Sequence, residues 1–160
     1  MKKVVIAVTF LALSVSMTAC GLGDKGSLKK ITEGQEFNAW EMDLVEKLES
    51  YGLEDNEKER LLNIDAECDN IGDNDYKNQL LIAKKLVKLN SQIEARIETS
   101  AKELIEKFEK ADVPYASEDE KKKLTEYKEI ISEMLNNHDF VNFKEVSENW
   151  SKLVEYSSTK

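Results

Sequence analysis

Few side chains in this sequence could perform chemistry, and they fall in three places. The two thiols are Cys20 and Cys68, and His138 is the lone imidazole. The one oxygen-rich stretch is Asp65-Ala66-Glu67-Cys68-Asp69-Asn70-Ile71-Gly72-Asp73-Asn74-Asp75. Acidic side chains near a helix C-terminus face its negative pole, and a hard cation would offset that. Calcium takes roughly six to eight oxygens in flexible geometry. Measured against an EF-hand loop starting at Asp65, however, the sixth position holds Asn70 where Gly is needed, and the twelfth holds Tyr76 where Glu is needed. The stretch therefore reads as a solvated loop of helix-capping Asp and Asn. A metal-dependent enzyme or a calcium-binding protein built on Asp65–Asp75 is the alternative.

Cys68 falls on an apolar stripe with Ile64 and Ile71, the place of a small buried hydrophobe. A nucleophilic thiol wants a histidine or a basic neighbour, and the sequence near Cys68 supplies none. An intermolecular disulfide is its other option. His138 has no His or Cys companions at metal-ligand spacing, so it is expected to cap a helix or face solvent. No nucleophile-elbow pattern surrounds a serine, and no glycine-rich phosphate loop is present. The expectation is no catalytic residue, no metal ligand set and no cofactor.

Cys20 differs because of what precedes it. The chain opens Met1-Lys2-Lys3, runs uncharged from Val4 to Val15, and then passes through Ser16, Met17, Thr18 and Ala19 to Cys20 and Gly21. A cationic start, an apolar run of about a dozen residues and a small-residue exit are the parts of a secretory signal. The run falls short of the roughly 20 residues that a membrane-spanning helix needs.

Met17-Thr18-Ala19-Cys20 resembles a lipobox, the motif of bacterial lipoproteins, with Met17 at the place where that family prefers Leu. The resemblance covers only the first 21 residues. It implies cleavage between Ala19 and Cys20 and a diacylglyceryl group on the Cys20 sulfur. A thiolate is the side chain nucleophilic enough near neutral pH to make that thioether. Two acyl chains anchor stably where one holds weakly. The resulting division is a signal peptide over 1–19, a lipidated N-terminus and tether over 20–31, and a folded domain over 32–160. Three glycines between Gly21 and Lys30 suit a tether.

The composition agrees with one folded domain. The chain has 160 residues, 41% hydrophobic and 34% charged, enough to bury a core. One Pro and six Gly argue against a many-turned β-sandwich and against low-complexity disorder. A net charge of −9 argues against a nucleic-acid partner. Losing Lys2 and Lys3 from 23 cationic side chains leaves 21 against 32 anionic ones, a balance of −11. Such a body is expected to stand off from anionic headgroups, with no basic patch of its own. Lys121-Lys122-Lys123 follows Glu118-Asp119-Glu120 at ion-pairing offsets, as a solvated helix face does. Lysine outnumbers arginine 21 to 2, which suits an A+T-rich coding genome and a Gram-positive source.

Past residue 31 the apolar positions recur every three or four residues, so the fold class is all-α, a small bundle of about five helices. Phe37, Trp40, Leu44, Leu48 and Tyr51 make a first stripe, closed by Gly52. Asn56 and Glu59 form a capping pair for a second helix, with Leu61, Ile64, Cys68 and Ile71 inside and Gly72 at its end. Asp75 caps a long third helix over 76–111, carrying Ile82, Leu86, Leu89, Ile93, Ile97, Leu104 and Phe108 up to Pro114. Ser117 and Glu120 make a capping box for a fourth, with Leu124, Tyr127, Ile131, Met134 and Leu135. Asn136-Asn137 turns left-handed, and Asp139 caps a last helix holding Phe140, Phe143, Trp150, Leu153 and Val154. Two arrangements bury these stripes equally. One is three long rods, the first and third kinked at Gly52 and Asn136; the other is two helical hairpins on the long helix.

The functional expectation is a non-enzymatic module held by its lipid on the outer face of the cell membrane. It would present helix faces to another envelope or extracellular protein, in an immunity, exclusion or accessory role. The aromatic positions Phe37, Trp40, Phe140, Phe143 and Trp150 serve as core anchors or line a groove for a partner helix. A peptide pheromone released from the Val4–Ala19 signal is a further alternative.

Overall fold

Local capping chemistry sets where each helix of the computed structural model begins and ends; the structure describes residues 35–72 and 75–159. The leader, Cys20 and the tether lie outside the described residues, as do Asp73 and Asn74 of the acidic stretch. Five helices follow in order: α1 Gln35–Ser50, α2 Asp55–Cys68, α3 Tyr76–Lys110, α4 Glu118–Asn137 and α5 Phe143–Ser158. No strand occurs among the described residues. The all-helical expectation holds.

Two caps stand where the sequence placed them. Asp75 accepts from the Asn78 amide at 3.3 Å and opens α3. Ser117 and Glu120 close a reciprocal box: the Ser117 hydroxyl accepts from the Glu120 amide at 3.3 Å, and the Glu120 carboxylate accepts from the Ser117 amide at 2.7 Å. Three other boundaries differ. The α2 capping pair is Glu54 and Glu57 in place of Asn56 and Glu59; the Glu57 carboxylate, held by Arg96, accepts from the Glu54 amide at 2.9 Å. The left-handed residue after α4 is His138 (φ 50) and not Asn136 or Asn137. Its ring meets Phe140 edge-on, and its Nδ1 lies 3.2 Å from Glu98. Finally, α5 starts after Asn142 (φ 61) and not after Asp139. The Asn142 amide donates to the Ser50 carbonyl at 2.9 Å, satisfying an orphan group at the end of α1 and delaying the helix.

Cross-helix contacts give the directions. Glu67 pairs with Lys85, Arg60 with Gln92 and Glu57 with Arg96, so α2 runs antiparallel to the first half of α3. Lys128 to Glu109 and His138 to Glu98 set α4 antiparallel to the second half. Lys47 and Tyr51 reach Glu94 while Glu41, earlier in α1, lies near Asp65 and Asp69; Trp150 packs on Phe108 while the Ser158 hydroxyl donates to the Asp112 carbonyl, so α1 and α5 run parallel to α3. The chain therefore reverses fully at Gly52 and at His138. Two hairpins rest on α3, not two kinked rods. α3, about 52 Å long at about 1.5 Å per residue, is their common spine.

Its inward stripe supplies the centre of the core: Ile82, Leu86, Leu89, Ile93 and Ile97 are at most 2% exposed. Each buried aliphatic side chain contributes about 1.5–3 kcal/mol of transfer free energy. Phe37, Leu48 and Tyr51 close the first half over them, and Leu124, Ile131, Phe140 and Trp150 the second. The halves join where α1 ends against the start of α5. A Cβ on Gly52 would lie 2.3 Å from the Lys144 Cβ, so that junction requires glycine, which the φ of +76 also favours.

Candidate interaction surface

Cys68 is half-buried and packed against the core, as its stripe implied. Burial, then the negative charges of Glu41, Asp65 and Asp69, push its thiol up to about 11. A thiol in that environment is a poor nucleophile near neutrality. His138 caps α4 with its side chain mostly in water.

The acidic stretch is split by the fold. Asp65 and Glu67 belong to the last turn of α2, Asp69 is its C-cap, and Asp75 turns away to cap α3. Glu67 is committed to Lys85, and the Asn70 amide group donates to the Ala66 carbonyl at 2.6 Å. Among the described residues no group of three His, Cys, Asp or Glu side chains is placed to hold a metal ion.

The aromatic residues divide cleanly. Phe37, Phe140, Phe143 and Trp150 are buried, and Trp40 is partly buried against them, so none lines an open groove. An apolar groove among the described residues lies elsewhere, between α1, α2 and the start of α5. It is a cleft of about 370 Å³ with an apolar wall of Val45, Leu53, Leu61 and Leu62. Glu49, Asp65, Lys58 and Lys144 rim it with both signs of charge. Leu62 is 65% exposed there, and Met42, one turn before Val45 on the same face of α1, is 67% exposed.

The sequence held a signal for this cleft. Leu61 and Leu62 are adjacent, and neighbours on a helix point about 100° apart, so both cannot enter one core. The cleft needed the hairpin geometry before it could be seen.

Charge is also less evenly spread than the composition implied. The outward strip of α3 gathers Lys77, Lys84 and Lys88, which lie too far apart in the chain to form a basic run.

No protein-family model, curated protein or solved structure matches this chain. Among the described residues, no helix is long and apolar enough to cross a membrane.

Proposed function

We propose that this chain is a bacterial lipoprotein. Cleaved before Cys20 and anchored by a diacylglyceryl thioether, it holds a non-enzymatic helical interaction module outside the cell membrane. The observation that carries the reading is the unbroken succession from Lys2-Lys3 through Val4–Val15 to Met17-Thr18-Ala19-Cys20. The cleft supports the interaction role. Its volume accommodates a few apolar side chains, and its mixed rim suits the polar flanks of an amphipathic helix. A partner of that kind, belonging to another envelope or extracellular protein, fits an immunity, exclusion or accessory role.

Both halves are testable in cells. Cys20→Ser should move the protein from the membrane fraction to the soluble secreted fraction; unchanged membrane retention would refute the anchor. A photo-crosslinker at Leu62 should give one discrete adduct with an envelope protein, and the same probe at Lys122, exposed on α4 and lining no cleft, should give none. Equal labelling from both positions would refute the cleft as the docking surface.

A further inference from the structure

From Tyr76 to Ile93 the sequence has four lysines and no acidic residue, within a chain of net charge −9. Lys85 is taken by Glu67. The other three, Lys77, Lys84 and Lys88, recur with Leu81 at offsets of four, seven and eleven, which places all four on the outward strip of α3. None of the three lysines has an ion-pair or hydrogen-bond partner among the described residues, and Leu81 is 48% exposed. Farther along α3 the strip changes: Lys102 pairs with Glu98 and Lys110 with Glu106. Three unpaired lysines thus line one strip of the first half of the spine, where the second half has the single unpaired Lys107.

Position gives that charge a meaning. α1 runs parallel to α3 and ends level with Glu94, so its first residue, Gln35, lies at the Tyr76 end. The fold therefore begins at the same end of the bundle as α3. Residues 21–34 span at most about 50 Å, so an anchor at Cys20 holds the bundle by its Tyr76 end. We propose that this strip is a docking surface for anionic phospholipid headgroups, and that the bundle lies with the first half of α3 against the bilayer. The proposal rests on the lipid-anchor reading.

Two effects compete, and distance decides between them. The acidic body is repelled by an anionic surface, but charges more than about 8 Å from it are screened at physiological salt. Lys77, Lys84 and Lys88 would lie inside that layer, on the face of α3 opposite its buried stripe. Their stems can lie along the interface around Leu81 while the ammonium groups meet phosphates. In the three-helix cross-section this strip is opposite the α1–α2 gap. The cleft at Leu62 then faces outward, away from the membrane.

The test uses the full mature protein taken from bacterial membranes and returned to vesicles of phosphatidylcholine, with or without phosphatidylglycerol. Acetylation of individual lysines is read by mass spectrometry. Lys77, Lys84 and Lys88 should react several-fold more slowly when phosphatidylglycerol is present and recover in high salt, with Lys121–Lys123 unchanged. Replacing all three by Gln should abolish the lipid-dependent difference in labelling of the neighbouring Lys85. Equal rates in both lipids would overturn the proposal. So would protection in pure phosphatidylcholine that grows with protein concentration, which would assign the strip to a second copy. Flotation with phosphatidylcholine vesicles reads the anchor separately, so a failed anchor is distinguished from a failed lysine strip.

Discussion

Arg96 and Glu57, 39 residues apart, meet in a two-pronged ion pair, with Nε and Nη2 donating to the two carboxylate oxygens at 2.6 and 2.8 Å. Glu57 is 7% exposed and also closes the start of α2 by accepting from the Glu54 amide. One carboxylate thus fixes both where α2 begins and how it registers on α3. Arg96→Met would leave that carboxylate buried without its cation and should cost about 3 kcal/mol, the low end for a buried pair because the Arg96 side chain is partly exposed. Glu57→Leu with Arg96→Met removes the stranded charge and should lie within about 1 kcal/mol of the parent, the residual loss being the cap. Urea unfolding of the three proteins checks the order.

Glu41 is the opposite case, a carboxylate buried without a cation or donor among the described residues. Burial raises its pKa first, and Asp65 and Asp69 raise it further. With the folded value above the unfolded one, the native state holds the proton longer, so stability is present at acid pH and is lost as pH rises through the folded value. Glu41→Gln should match the parent near pH 4 and melt higher than it at pH 7. Melting curves across that range measure the gap, which should widen upward in pH.

Cys68 offers a readout of the folded state. A thiol raised from 9.0 to about 11 has about 100-fold less thiolate at pH 8 than the unfolded chain. Alkylation by iodoacetamide should slow by that factor in buffer and recover in urea. Fast labelling of the native protein would mean that α2 does not pack as described.

Gly52 should tolerate no side chain. Gly52→Ala meets both the positive φ and the Lys144 Cβ, and should cost more than about 1 kcal/mol. Adding Lys144→Gly relieves the contact but not the backbone strain, so it should restore part of the loss. Full restoration would show that contact alone made glycine necessary there.

How much of this could be read from the sequence depends on how local each signal is. The apolar stripes and the caps at Asp75 and Ser117 involve residues within one turn, and they stand where periodicity and capping place them. The start of α2 was ambiguous because Glu54/Glu57 and Asn56/Glu59 are overlapping registers. Arg96, far along the chain, decides between them. The choice between kink and hairpin was likewise not local, since a glycine terminator followed by a cap permits both. The cleft at Leu62 needs two helices side by side, and the lysine strip needs a helix to bring residues 77, 84 and 88 into line. Net acidity concealed the strip by averaging over the chain.

The anchor is the claim on which localisation, orientation and partner all depend, and the intact mass of the native protein tests it most directly. The account predicts a chain beginning at Cys20, with its sulfur carrying a diacylglyceryl group. A mass showing residues 1–19 still attached, or a Cys20 terminus bearing a free thiol, would contradict it.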